Sequence, residues 1–283
     1  MPDLQIAFLM IVGGLAAGVF GSLLGLGGGI LIVPLLTLGF GLPLREAVGV
    51  SLVAVIVTSS ASAGVYLERH VADLRLGMTL ELFTASGALV GGLIAFLLSE
   101  RILAGLFTLL LMYTALTMAR RREPVPIGPA ADADVDARPT LEAPPIASSD
   151  RPPGQPDPHG YVVRRLGWGI VGSLFAGLVS ALLGIGGGLI KVPVMHLVMG
   201  VPLRVATATS NLMIGITAAA SAIIYLLRGG IDVYVAGPTA VGVFVGASIG
   251  SRTVHRIDVR LLRLLFVGVL LVTAWQMGGR ALR

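Results

Sequence analysis

A run of glycines occurs twice in this chain, each time inside a long uncharged segment. The first copy is Gly25–Gly29 and the second is Gly184–Gly188, and each has four glycines in five residues. Glycine in a helix interior costs about 1 kcal/mol relative to alanine, so we expect a helix to break at each run. In a membrane, broken backbone is tolerated only where protein buries it or where it lines a cavity. The two runs are therefore candidate substrate sites.

The apolar composition is typical of a membrane protein. Hydrophobic residues make up 55% of the 283 residues and charged residues only 12%, whereas soluble domains carry about 25% charged residues. Most of the uncharged segments approach or exceed the roughly 20 residues that a helix needs to cross a bilayer. The sequence lacks the alternating pattern of barrel strands. We predict an all-α multi-pass protein of the cell (inner) membrane, with about 8–10 segments in the lipid bilayer.

The second half of the chain repeats the first. When Gly184 is aligned with Gly25, equivalent residues coincide without a gap from 25–91 to 184–250. The coinciding pairs include Pro34 and Pro193, Pro43 and Pro202, Arg45 and Arg204, Ser51 and Ser210, Tyr66 and Tyr225, and Asp73 and Asp232. Many transporters consist of such repeats and bind their substrate near the bilayer midplane, where the copies meet. We predict a first transmembrane repeat at residues 1–120 and a second at 164–283.

Each repeat is expected to begin with a broken-helix hairpin. About twelve residues follow each glycine run, at Ile30–Gly41 and Leu189–Gly200, and as a helix they would span only about 18 Å, well short of the bilayer core. Each piece carries a proline and reads as a half-helix. Three ordinary membrane helices then follow in each copy. The predicted fold is thus two repeats, each a broken-helix hairpin plus three transmembrane helices.

Residues 121–163, between the repeats, are predicted to be a disordered linker. The stretch 120–165 holds ten of the sixteen prolines and seven acidic residues, and such a composition cannot bury enough apolar surface to fold. Arginines on both sides of the linker indicate a cytoplasmic position. The basic loops at 69–75 and 252–263 lie on this same side only if each repeat crosses the membrane an odd number of times. The two repeats are therefore predicted to be inverted relative to each other.

Both repeats continue from the glycine run to a Gly-x-Pro motif and then to an alanine with a Thr/Ser cluster. These residues are Gly41–Pro43, Ala47 and Ser51 in the first copy and Gly200–Pro202, Ala206 and Thr209–Asn211 in the second. The duplicated pattern resembles that of the sulfite exporter TauE/SafE family of membrane transporters, and the resemblance covers both halves but not the linker. It implies movement of small anions such as sulfite, sulfonates or related organosulfur and carboxylate anions. In the first copy Val50 replaces the threonine of the motif, so that half offers fewer polar contacts.

Lys191, the only lysine in the chain, lies three residues past the second glycine run, where the first repeat has Ile32. A cation inside the membrane is costly and by default marks a pathway or a site. Three interpretations are open: contact with an anion, snorkelling toward the membrane surface, or an internal ion pair. Glu81, near the start of a predicted span, is expected to lie at the membrane interface and has no assigned role.

The predicted substrate site combines both glycine runs with Lys191 and the polar residues of the Thr/Ser clusters. Its residues are Gly25, Gly27, Gly28, Gly29, Ser51, Gly184, Gly186, Gly187, Gly188, Lys191, Thr207, Thr209, Ser210 and Asn211. The half-helix after each run would point its free N–H groups at an anion. The hydroxyl groups are alternatively packing contacts between neighbouring helices.

Three further residues are candidates for roles around this site. His196 is a candidate for proton coupling, because imidazole titrates near neutral pH, or else it is a hydrogen-bonded packing residue. Arg45 and Arg204 are equivalent in the two copies, and inversion would put them at opposite entrances. There they would either attract the anion or anchor the helix ends at the interface.

The sequence predicts no catalytic residue, no cofactor and no metal site. It contains no cysteine, and no Gly-Lys-Ser/Thr follows the glycine runs as it would in a nucleotide-binding loop. Its arginines lie in loops between helices, which indicates membrane orientation and not nucleic-acid binding. We predict a secondary transporter for a small anion, with export as the favoured direction. The alternatives are an anion channel and an intramembrane enzyme; a proton or sodium as coupling ion and a homodimer are left open.

Overall fold

The computed structural model describes residues 4–24, 27–68, 72–120, 163–253 and 259–282, and within these ranges the chain is helical with no strand. The helices are α1 (Leu4–Leu24), α2 (Gly29–Pro34), α3 (Leu44–Glu68), α4 (Leu74–Leu97), α5 (Glu100–Arg120), α6 (Leu166–Leu183), α7 (Gly188–Pro193), α8 (Leu203–Leu227), α9 (Val233–Thr253) and α10 (Val259–Leu282). The predicted linker lies outside the described residues, apart from Val163 at its end. The all-α prediction is confirmed.

Seven of the described helices are long and apolar enough to cross a membrane, namely α1, α3, α4, α5, α6, α8 and α9. Shorter apolar stretches occupy 29–39, 188–198 and 266–279, the last of them within α10. A helix rises about 1.5 Å per residue, so the two shortest stretches reach only about halfway across the core. The chain is a multi-pass membrane protein, as the composition predicts.

The short helices α2 and α7, together with the π-helical turn that follows each, occupy the place of the predicted half-helices. Each has six residues, ends at a proline, and leads into a five-residue π-helical turn, Leu35–Gly39 or Val194–Val198. Proline has no N–H to donate to the preceding turn, which favours the change from α to π geometry. Gly41 and Gly200 then adopt φ values of 71° and 75°, which let the chain enter the next long helix. Each repeat therefore begins with a broken-helix hairpin.

The two repeats pack against each other through matching helix pairs. Helix α1 packs on α9 and α4 packs on α6; α3 contacts both α8 and α9, α8 also contacts α4, and α5 packs on α10. Exchanging the repeats converts each of these pairs into another of them or into itself. The bundle is therefore built as two equivalent halves, and nearly every large interface joins one half to the other.

Glycines allow the matching pairs to approach closely. On α4, Gly87 lies against the carbonyl of Leu174 in α6, and on α9 the equivalent Gly246 lies against the carbonyl of Leu15 in α1. A Cβ at either glycine would overlap backbone atoms of the neighbouring helix. Small residues at such positions are the usual means of close helix packing in membranes, where lipid is as apolar as leucine.

Contacts at the ends of α3 and α8 indicate that these equivalent helices run in opposite directions. The Asp73 N–H, just after α3, donates to Thr209 Oγ1 near the start of α8 at 2.9 Å. At the other end, Gly49 near the start of α3 lies against the Gly230 carbonyl, just past the end of α8. Opposite directions of equivalent helices are what an inverted repeat requires. Inversion of the whole repeat stays a prediction, which these contacts support.

Candidate functional site

Both glycine runs leave helical geometry, as the sequence predicts. Gly27 and Gly28 have φ values of 71° and 75°, and Gly186 and Gly187 have values of 82° and 80°. This left-handed backbone costs a residue with a Cβ roughly 1–2 kcal/mol, so glycine is the residue that fits. Gly28 and Gly187 are the N-cap residues of α2 and α7. Gly25, the first residue of the predicted site, lies outside the described residues.

The two glycine runs are in direct contact. Gly29, at the start of α2, lies so close to the carbonyl of Gly184 that a Cβ on Gly29 would overlap it. The hydroxyl of Ser51 in α3 lies between the runs, with its Oγ 2.7 Å from the Gly184 oxygen and 3.2 Å from the Gly29 oxygen. The structure thus brings together three of the predicted site residues, drawn from both repeats.

Two equivalent apolar side chains cover the meeting point of the runs. Val55 of α3 and Ile214 of α8 coincide when the repeats are aligned, and both side chains lie next to Gly27 as well as Gly186. Both side chains are buried. The glycines therefore face a tight apolar contact between α3 and α8 in this conformation of the protein.

Ser210 is the equivalent of Ser51 but has no matching contact. Its side chain is 0% exposed, and its Oγ has no hydrogen-bond partner in the part of the chain that the structure describes. The hydroxyl lies 3.5 Å from the place where a Cβ on Gly188 would stand, at the second glycine run. A buried polar group without a partner costs about 1–3 kcal/mol. Ser210 is therefore a buried hydroxyl without a partner among the described residues, and its role in binding substrate stays a prediction.

We expect Ser51→Ala and Ser210→Ala to differ in stability. Ser51→Ala removes the donor of the Gly184 carbonyl and should lower the free energy of unfolding by about 1 kcal/mol. Ser210→Ala removes an unpaired group and should leave stability unchanged or slightly higher. Unfolding of both purified variants in detergent, without added anion, measures the difference. Equal losses would show that the Ser51 contact adds nothing to stability.

Lys191 belongs to a buried group with Glu81 of α4 and Thr217 of α8. Its Nζ lies 2.7 Å from Glu81 Oε2 and 2.7 Å from Thr217 Oγ1, and Thr217 Oγ1 lies 2.7 Å from Glu81 Oε1. Lys191 is 1% exposed and Glu81 is 5% exposed. Of the three interpretations of Lys191, snorkelling is wrong, and the internal ion pair is the arrangement observed in this conformation.

The interfacial position expected for Glu81 is also wrong. The uncharged stretch that begins at Leu82 suggested a span starting there, whereas α4 begins at Leu74 and holds Glu81 about two turns inside. The sequence contained one usable signal, because a lysine within a membrane segment requires a counter-charge. Which carboxylate supplies it depends on how α4 packs against α7 and α8, and this is not visible in the order of residues.

The comparison with known proteins agrees with the motifs and the helical architecture. The family model described as Sulfite exporter TauE/SafE matches residues 10–277. This chain belongs to that family. It is 25% identical to the probable membrane transporter protein YunE of Bacillus subtilis, over 95% of this chain and 96% of the relative. It is also 25% identical to the probable membrane transporter protein MJ0441 of Methanocaldococcus jannaschii, over 93% and 91%. No solved structure matches the chain.

The remaining polar residues of the predicted site make contacts within the fold of this TauE/SafE protein. The Thr207 hydroxyl donates to the Leu203 carbonyl at 2.8 Å, and Thr209 accepts the N–H of Asp73. The backbone carbonyl of Asn211 accepts the hydroxyl of Ser59 at 2.8 Å. These contacts fit the packing alternative for the hydroxyl groups. A role for these residues in binding substrate stays a prediction.

His196 lies in the π-helical turn after α7 and is exposed. A ring nitrogen, Nδ1, lies 2.9 Å from the Val201 carbonyl oxygen, to which it donates. This is the hydrogen-bonded alternative that the sequence left open. Proton coupling through His196 stays a prediction.

Arg45 is held at the start of α3 by two contacts. Its Nη2 donates to the Leu98 carbonyl at 2.9 Å, and its guanidinium lies 5.3 Å from the centre of the Phe96 ring. Arg228 stands over the same ring at 5.9 Å. Two guanidinium groups thus share one aromatic side chain at this end of the bundle. The entrance role of Arg45 stays a prediction, and the side chain of Arg204 lies outside the described residues.

Proposed function

We propose that this TauE/SafE family protein is a secondary transporter that exports small anions, such as sulfite, sulfonates or related organosulfur and carboxylate anions, across the cell membrane. The observation that carries the proposal is the contact between the two glycine runs, at which Ser51 Oγ lies within hydrogen-bonding distance of the Gly29 and Gly184 carbonyls. Broken membrane helices from two repeats that meet at one point are a common architecture of transporter binding sites.

The groups beside this meeting point suit a small oxyanion. Ser210 offers a buried hydroxyl without a partner in the described part of the chain. Lys191, in the last turn of α7, offers the one lysine ammonium of the chain, and Glu81 holds it in this structure. Hydrogen bonds from a cation to an oxyanion are about twice as strong as neutral ones. An ammonium group and a hydroxyl group are both donors that the oxygens of a small oxyanion can accept from.

The choice of sulfite and related organosulfur anions, and the export direction, are supported by the family description. The names of both relatives refer to membrane transport and to no enzymatic activity, so we infer that the chain is not an enzyme. Within the described residues no group of three His, Asp or Glu side chains clusters as metal ligands. We propose transport along the gradients of the anion and a coupling ion.

Exchange by the purified protein in liposomes tests this function. Vesicles that contain one anion would be placed in a solution of a second anion, and uptake of the second anion would be measured. The anions compared are sulfite, methanesulfonate, acetate and chloride. We expect saturable uptake of sulfite or methanesulfonate that is accelerated by the same anion trapped inside, with chloride inactive. A conductance that neither saturates nor responds to trapped anion would contradict a transporter and indicate a channel.

A further inference from the structure

The buried ion pair has an uncharged counterpart in the other half of the molecule. Aligning the repeats sets Lys191 on Ile32, Glu81 on Ala240, and Thr217 on Thr58. Ile32 is 0% exposed, so the equivalent place is filled by an apolar side chain. Thr58 donates to the Gly27 carbonyl at 2.8 Å. The aligned positions of Lys191 and Glu81 therefore hold an ion pair in one repeat and the uncharged Ile32 and Ala240 in the other.

Stability does not explain why the second repeat uses charges. Charged groups inside a membrane are costly, and replacing a buried ion pair by well-packed apolar residues is often neutral or stabilising. The first repeat has the uncharged residues Ile32 and Ala240 at the aligned positions. Two of the three Lys191 N–H bonds have acceptors in Glu81 and Thr217, and no other acceptor is found among the described residues. The presence of the Lys191–Glu81 pair is therefore better explained by a role in binding than by a contribution to stability.

We propose that Glu81 is the proton-binding group that couples anion transport to a proton, an inference that rests on the transporter function proposed above. In the structure the Glu81 carboxylate is paired with the Lys191 ammonium. A proton from water binds the carboxylate, the ion pair separates, and the substrate anion takes the place of Glu81 on Lys191. When the anion leaves, the proton leaves as well and the ion pair forms again.

The proton is required because the site holds one cation for two anions. If the substrate bound Lys191 while Glu81 stayed ionised, one negative charge would remain buried without a partner, at a cost of several kcal/mol. Protonation removes that charge. The net charge of the site is then the same before and after binding, because the proton balances a singly charged anion.

No other acidic side chain lies on the elements that pack against this part of α4. Helix α6 has no titratable residue, and α7 contributes Lys191 itself. Helix α8 carries Arg204 in its first turn and Tyr225 near its end, where the Tyr225 hydroxyl donates to the Ala181 carbonyl. His196, after α7, is exposed and bound to Val201. Glu81 is thus the proton acceptor that the described residues offer at Lys191.

The coupling of one proton to each anion determines how much net charge crosses the membrane in one transport cycle. A singly charged anion and one proton cross together without net charge, so their two concentration gradients decide the direction. A doubly charged anion with one proton carries one negative charge, which a membrane potential negative inside would drive out of the cell.

Transport of methanesulfonate under an imposed pH gradient tests the role of Glu81. This probe keeps a single negative charge at all physiological pH values, so its own titration does not interfere. With one proton per anion, wild-type protein should concentrate methanesulfonate about tenfold on the alkaline side for a gradient of one pH unit. The Glu81→Gln variant cannot take up the proton, so methanesulfonate should reach the same concentration on both sides of the membrane. Any exchange that the variant retains should not vary with pH.

Glu100→Gln, which removes an exposed carboxylate at the start of α5, is the matched control, and its response to the gradient should equal that of wild type. If His196→Gln loses the response while Glu81→Gln keeps it, the proposal is overturned in favour of His196. Wild-type exchange that ignores the pH gradient would overturn proton coupling alone. If wild type exchanges neither methanesulfonate nor any other anion of the panel, the transporter function is overturned as well.

A second measurement avoids any dependence on the folding of variants. Wild-type protein in weakly buffered detergent solution with a pH indicator should take up one proton for each methanesulfonate bound. Anion binding without proton uptake would overturn the proposal.

Discussion

Lys191→Gln is expected to destabilise the protein and to weaken anion transport together. The substitution leaves the Glu81 carboxylate buried without its cation, and breaking one partner of a buried ion pair costs about 3–5 kcal/mol. It also removes the one ammonium at the site, so we expect the concentration for half-maximal transport to rise at least about tenfold, or about 1.4 kcal/mol. Unfolding in detergent and exchange in liposomes measure the two effects separately.

The other repeat supplies the control for this variant. The double change Lys191→Ile with Glu81→Ala copies the residues found at Ile32 and Ala240, and it leaves no charge unpaired. We expect the double variant to regain most of the lost stability, but not to transport anions. If Lys191→Gln folds and transports as wild type does, the lysine is not part of the site, and the anion must depend on other donors such as Ser210.

Gly29→Ala is expected to have the second large effect, because the two glycine runs leave no space for it. Its Cβ would overlap the Gly184 carbonyl, a backbone atom that cannot rotate away, and would also crowd Val55. Overpacking of this kind costs about 1–3 kcal/mol. The displacement of one run from the other should lower the exchange rate at least about tenfold, a change of about 1.4 kcal/mol in barrier.

Gly105→Ala is the matched control for this substitution. Gly105 lies in α5 with open space where its Cβ would stand, so alanine there should keep activity and raise helix stability by up to about 1 kcal/mol. Both variants would be compared by unfolding in detergent and by exchange. Wild-type exchange by Gly29→Ala would show that contact between the runs is not needed for transport.

The helical framework was predictable because its signals are local. Glycine disfavours a continuous helix through its own geometry, so the runs at Gly25–Gly29 and Gly184–Gly188 indicated where the half-helices begin. The predicted pieces extended to Gly41 and Gly200, whereas the α-helical part of each ends at its proline. The repeat was readable because equivalent residues coincide without gaps. The contact between the runs followed from these two facts, since repeats of this type meet at their broken helices.

The partners inside the site were not predictable in the same way. Lys191 was identified as costly, but its pairing with Glu81 depends on the packing of α4 against α7 and α8. Ser51 and Ser210 are equivalent in sequence. Ser51 Oγ lies within hydrogen-bonding distance of a carbonyl of each glycine run, whereas Ser210 Oγ has no hydrogen-bond partner among the described residues. The difference depends on how the two halves pack against each other, which no local pattern of residues indicates.

The role of the ion pair in anion transport is tested by methanesulfonate exchange in liposomes that hold equal amounts of wild type or of the Lys191→Ile, Glu81→Ala double variant. We expect saturable exchange by wild type and none above empty liposomes by the double variant, with both proteins folded in the same detergent. If the double variant exchanges methanesulfonate with the wild-type concentration dependence, the ion pair has no part in anion transport.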